Sequence, residues 1–279
     1  MIAAEDSAVT GPGERQCELK CPHCGALFQA RLAEVVDAQS RPELKRQLLS
    51  SEFNRVVCPT CEYMFLVETE VLYRDREKGV LLYLLPGAEE RWEQAEEMVK
   101  AMLADYLAKH GREAEAWPDV QLVFSRAEMV ERIFLLDRGY DVAAIEYVKY
   151  LIYTRNRGRV NPRTKRLLFN AQDSDEERLW FVIQDLPSRR LEGMLQFDQR
   201  AYRAVTETFR QPEGERMLRK LFPGPVVNAR LKILAEEAVE ETPEAPEARR
   251  GHSAEGGATG ESAPGEGRGT EGDSGSESR

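Results

Sequence analysis

Four of the five cysteines fall in two copies of one pattern, Cys21-Pro22-His23-Cys24-Gly25-Ala26-Leu27-Phe28 and Cys58-Pro59-Thr60-Cys61-Glu62-Tyr63-Met64-Phe65. Each copy is Cys-Pro-x-Cys, three residues, then Phe. A Cys-x-x-Cys turn aims two sulfurs at one point, and two such turns supply the four soft ligands of a tetrahedral Zn2+. Backbone N–H groups in each turn can donate to the sulfurs and spread a charge that would otherwise be a formal −2 on Zn(Cys)4. Pro22 and Pro59 pre-set the turns, and Gly25 suits the positive φ that often ends them. Glu62 stands where Gly25 does and is expected to be pushed into the same conformation. The metal ligands expected from this pattern are Cys21, Cys24, Cys58 and Cys61.

The rival chemistry is thiol-disulfide exchange, because Cys-Pro-His-Cys is also the active-site tetrapeptide of oxidising thioredoxin-fold proteins. A redox Cys-x-x-Cys opens a long helix within a βαβ unit. Here Cys24 is followed by glycine and a strand-like run, and a second copy exists, so metal is the better reading. Cys17 is one thiol more than zinc needs. His23 lies between ligands, His110 falls at an expected helix end, and His252 lies in the C-terminal stretch. No Ser-His-Asp or Cys-His arrangement, phosphate-binding glycine loop or HExxH helix is found, so a non-enzymatic protein is expected. One further cluster carries charge: Arg155, Arg157, Arg159, Arg163, Lys165 and Arg166 follow Tyr147, Tyr150 and Tyr153 with no acid between Arg155 and Arg166. Such a segment could contact polyanion phosphates while the aromatics stack on bases. The plainer reading is a solvated connector with the tyrosines in the core.

The elements that must position these residues define an α+β chain. A mobile leader is expected over residues 1–16. A zinc-ribbon-like antiparallel module follows over 17–86, with strands Leu27–Val36, Asn54–Val57, Met64–Tyr73 and Val80–Leu85, and a helix Pro42–Leu49 capped by Ser40. An α+β body is expected over 87–235. Its helices run Glu89–Lys109, from Ser125 with Glu128 at the capping-box position to 138, Val142–Tyr153 and Gln199–Phe209. Its strands are Val120–Phe124, a hairpin within 165–184 (Lys165–Asn170 with Leu179–Gln184), and Met194–Phe197; Val226–Leu234 is apolar and of ambiguous type. The stretch 236–279 carries net −8 of the chain's −10, lacks aromatic residues, and is expected to be disordered. The rest of the chain is nearly neutral, which is unlike most nucleic-acid binders. No apolar run reaches membrane-spanning length, and the acidic residues within 1–16 do not suit a signal peptide, so a cytoplasmic location is expected.

Beyond these readings, the chain resembles the bacterial CpXC domain family. The resemblance rests on the paired knuckles, on Pro42-Glu43-Leu44-Lys45 with Leu48-Leu49-Ser50 before Asn54, and on Leu72-Tyr73-Arg74-Asp75 after the second knuckle. It is specific over about Leu19–Leu85 and extends to about Tyr153. It implies a zinc-ribbon-like module with Cys21, Cys24, Cys58 and Cys61 as metal residues, without an assigned biochemical role. Glu62 in place of a usual Gly, and Arg74 where His is expected, depart from the pattern; the second departure argues against a histidine-dependent site. Two functions of different class are expected: a zinc-supported module that binds an unidentified protein partner, and a nucleic-acid-associated ribbon that uses the segment 155–166. A further expectation is that the acidic C-terminal stretch competes with polyanions for that segment.

Overall fold

The computed structural model describes residues 9–11, 13–110 and 119–241. Strands β1 (Val9–Gly11), β2 (Glu14–Lys20) and β3 (Leu27–Ala33) form one antiparallel sheet. Pairing of β2 with β3 runs from Glu14↔Ala33 to Lys20↔Leu27, so residues 21–26, the first knuckle, are its hairpin turn. The chain then leaves this sheet at Glu34, and β4 (Val35–Asp37) joins another. Helix α1 (Pro42–Leu49) follows, and a second hairpin of β5 (Arg55–Val57) and β6 (Met64–Leu66) closes residues 58–63, the second knuckle, as its turn.

A separate mixed sheet is built from β4 and three later strands. Strands β7 (Val71–Asp75), β8 (Val80–Leu84) and β9 (Asp119–Val123) take the order β4-β7-β8-β9, with the outer pairs parallel and β7-β8 an antiparallel hairpin. The crossover from β4 to β7 carries α1 and the whole second knuckle. That from β8 to β9 includes α2 (Trp92–His110), after a short 3-10 turn at Glu89–Arg91. Beyond β9 come α3 (Arg126–Asp137), α4 (Val142–Arg155), a meander of β10 (Lys165–Asn170), β11 (Arg178–Asp185) and β12 (Leu191–Asp198), then α5 (Gln199–Phe209), α6 (Pro212–Leu221) and α7 (Ala229–Glu241).

Several expectations are corrected. The leader is not free throughout, since Val9–Gly11 and Glu14–Gln16 are in β-structure; the rest of 1–8 and residue 12 lie outside the described residues. Gly13 makes this possible: its φ is +88°, its carbonyl accepts the N–H of Glu34 and Val35, and a Cβ there would come within 2.6 Å of Val35 Cβ. The expected strands Leu27–Val36 and Met64–Tyr73 each divide in two. In both, the hairpin half carries a knuckle, while the second half brings Val36, Val71 and Tyr73 into the mixed-sheet core. Ser40 does not cap α1: Arg41 occupies that position, and the Ser40 N–H donates to Asp37 Oδ1 instead. Ser125 does cap α3, accepting the Glu128 N–H, yet Glu128 returns its carboxylate to the N–H of Phe124. The ambiguous apolar segment has no regular secondary structure up to Asn228 and is helical from Ala229, and α6 has no counterpart in the sequence reading. Helix α7 reaches Glu241, so 236–241 is ordered; 242–279 lie outside the described residues.

The expected division after residue 86 does not coincide with a structural break. Strand β8, before it, pairs with β9, beyond it, and one core joins Val36, Leu44, Leu48, Phe53 and Tyr73 to Val123, Met129 and Ile133. A second core packs α4, α5 and α7 on the inner face of the meander through Ile145, Val148, Phe169, Phe181 and Ile233.

Candidate metal centre

The two knuckles are the same backbone twice. In the first, Cys21 N–H donates to Ala26 O at 2.9 Å and Gly25 N–H to Cys21 O at 3.0 Å; in the second, Cys58 N–H donates to Tyr63 O and Glu62 N–H to Cys58 O, both at 2.9 Å. Gly25 has φ +76° and Glu62 +58°, so the glutamate does take the glycine conformation. The second hairpin is set against the first by Asn54. Its side chain mimics one more strand residue: Oδ1 accepts the N–H of Ala33 and Nδ2 donates to Ala33 O, each at 2.9 Å, with a further bond to Thr69. Phe28 and Phe65, at matching places in the two copies, meet edge to face at 6.3 Å.

This arrangement brings the Sγ atoms of Cys21, Cys24, Cys58 and Cys61 within 4.8 Å of one another. The separations across the knuckles are 3.7 Å for Cys21–Cys61 and 3.7 Å for Cys24–Cys58. Four sulfurs about 2.3 Å from a tetrahedral zinc lie roughly 3.8 Å apart, so the set fits that ion. Cys21 and Cys58 are buried, Cys61 is half-buried and Cys24 is exposed. The His23 N–H approaches Cys21 Sγ at 3.4 Å. Burial opposes charge on Cys58, but the N–H groups of Thr60 and Cys61 outweigh it and bring its thiol down to about 6. Cys61 goes the other way: the Tyr63 N–H favours its thiolate, yet burial and the other three sulfurs push it up to about 12. Negative charge gathers on some sulfurs and is refused by the last, a conflict that a central divalent cation removes.

Residues 19–149 match a family model described as CpXC protein. This segment belongs to the CpXC family. The CpXC region contains both knuckles, the mixed sheet, α2, α3 and half of α4, and it ends before the meander. Among curated proteins and among solved structures, none matches the chain.

Cys17, on β2 opposite Ala30, is outside the sulfur cluster. His23 is exposed and stacks on Tyr63 at 5.2 Å. His110 ends α2, and His252 lies outside the described residues. At Arg74, where His was expected, the guanidinium grips Asp37 Oδ2 from Nε at 2.9 Å. The backbone N–H of Ser40, with Arg74, outweighs burial and holds the Asp37 carboxyl far below the usual range.

The basic segment is not one surface. Arg166 is buried against Glu89, Glu128 and the Ser125 hydroxyl, and Lys165 pairs with Asp185 and Glu192. Arg163 lies 3.5 Å from Glu237 on α7. Arg155, Arg157 and Arg159 are exposed. Tyr153 is buried, its hydroxyl donating to Lys165 O and accepting the Leu167 N–H, and Tyr147 packs edge to face on Phe209. Tyr153 is thus a core residue, while Tyr147 and Tyr150 are half-buried, stack on each other at 6.5 Å and pack against the same core.

Sequence reasoning missed a second charged constellation. Glu131 and Arg132 on α3, with Glu146 and Lys149 on α4, are all buried, and Lys149 Nζ bonds Glu131 at 2.7 Å and Glu146 at 2.8 Å. Burial alone would depress the Lys149 ammonium; the two glutamates outweigh that and raise it. Glu146 also accepts the N–H of Ala229, and Arg230 bonds Glu89 and Pro162 O, so the network docks α7. At helical spacing these charges read as a solvated face, and only the packing of α7 over them reveals burial.

Proposed function

We propose that the chain is a non-enzymatic structural zinc protein in which Cys21, Cys24, Cys58 and Cys61 hold one Zn2+ and the metal locks the two hairpins into a docking scaffold for a protein partner. The observation that carries the reading is the convergence of four sulfurs, at tetrahedral spacing, from two backbones of matched conformation. The sulfurs' hydrogen-bond partners are backbone N–H groups and one another, which is the environment of a closed structural site. The scaffold's surface supports the partner reading. Leu27, Val57, Tyr63, Met64 and Leu66 are all 44% exposed or more and all lie on the two hairpins, a density of open apolar side chains that marks interaction surfaces. A reducing compartment such as the cytoplasm suits four free thiols, and among the described residues no helix is long and apolar enough to cross a membrane.

Elemental analysis of the purified protein is expected to give one zinc per chain. Cys58→Ser is expected to abolish it, and four thiols should become reactive only after chelation. Zinc-free protein that cycles a Cys21–Cys24 disulfide would overturn the reading in favour of redox chemistry. Polyanion affinity that falls steeply with salt would support the nucleic-acid alternative.

A further inference from the structure

Strand β12 forms one edge of the three-stranded meander and is 8 residues long. From Gly193 to Asp198 it runs in unbroken register with β11; the bulge lies at its start, by Glu192. In an antiparallel pair the backbone groups of alternate residues point away from the partner strand. Among the described residues, no backbone N–H or carbonyl of 191–198 bonds any group outside regular helix and strand pairing. Proteins usually blunt such an edge with proline, lysine or a covering element. Here the five residues Gly193–Phe197 carry no charge and no proline, and Leu191 and Met194 are 65% and 45% exposed.

We propose that β12 pairs antiparallel with the same strand of a second copy of this chain, about a two-fold axis at Met194, turning two three-stranded sheets into one of six strands. The strand's own sequence favours that register over the adjacent one centred on Leu195. With Met194 on the axis, Gly193 faces Leu195 of the partner subunit, and beyond the bulge the start of the strand, preceded by Arg190, comes near Asp198 of the partner subunit, so opposite charges approach each other at both ends. Moving the axis to Leu195 sets Glu192 against Asp198 of the partner subunit, a like-charge contact that disfavours that register. The face continues as well. Leu168, Val182 and Met194 lie in one cross-strand row on the side away from the helices, and the axis carries this row directly into its copy. The pairing uses no residue of the cysteine centre, so it stands or falls independently of zinc.

Sedimentation equilibrium of the full chain at micromolar concentration is expected to show a dimer. Met194→Lys places two ammonium groups against each other on the axis and should raise the dimer dissociation constant at least tenfold, with zinc content unchanged; Arg190→Asp should act in the same direction. Register is checked separately in a Cys17→Ser background, where Met194→Cys should form an intermolecular disulfide under mild oxidation and Gln196→Cys should not. A monomeric wild-type chain, a dimer indifferent to Met194→Lys, or crosslinking through residue 196 in preference to 194 would overturn the proposal.

Discussion

Glu62 shows how one residue's conformation is dictated by its neighbours. The Cys58 and Tyr63 hydrogen bonds that close the second knuckle require φ near +58° at position 62, where a side chain with a Cβ is strained. At the matching Gly25, a built Cβ meets nothing closer than Lys20 Cε at 3.9 Å, so the penalty lies in the backbone and not in crowding. Glu62→Gly removes roughly 1–2 kcal/mol of strain and adds about 0.5–1 kcal/mol of unfolded-state entropy. The expected outcome is a small net gain, about 0.5 kcal/mol, read as a higher denaturation midpoint of the zinc-loaded protein. A destabilised variant would show that the knuckles are not energetically equivalent. The paired cysteines and the Glu62 conformation were legible in the sequence, because both follow from local pattern. The fate of Arg166 was not: whether a cation is solvated or buried depends on Glu89 and Glu128, which are distant in sequence.

At the scale of elements, the two hairpins share only a short interface, and Asn54 is its polar fastener. Its amide makes the reciprocal bonds to Ala33 while its backbone sits at φ +55°, a region that asparagine tolerates better than alanine. Asn54→Ala should therefore cost on the order of 3 kcal/mol, from bonds lost in a part-buried site and from backbone strain. It should also weaken zinc, since the sulfur pairs would no longer be held in register; competition with a chromophoric chelator measures this, and unchanged zinc affinity would refute the fastening role. Hairpins, helix periodicity and the α5 boundaries could be read from the sequence. The splitting of Leu27–Val36 and Met64–Tyr73 could not, because each run is uniformly strand-like and only the mixed sheet, reaching for Val36, Val71 and Tyr73, decides where the chain changes partners.

At the scale of the whole molecule, the segment that carries the two cysteine hairpins shares a core that later parts of the chain complete. A fragment of residues 17–86 lacks β9, and with it the parallel partner of β8, and it lacks Val123, Met129 and Ile133 from the shared core. Even with zinc present, that fragment is expected to lack a cooperative unfolding transition and the full chain is expected to show one; calorimetry distinguishes the two, and a sharp transition in the fragment would restore residue 86 as a domain boundary. The sequence by itself determined the four-cysteine cluster, the repeat that presents it and the α+β class, because knuckle spacing and hydrophobic period are properties of a few consecutive residues. Tertiary structure alone decided where the chain divides, which arginines are spent inside, and that α7 closes over a buried network of glutamates and lysine. Those outcomes rest on contacts between residues up to 141 positions apart, such as Arg230 with Glu89, whose energies exist only once the chain has brought them together.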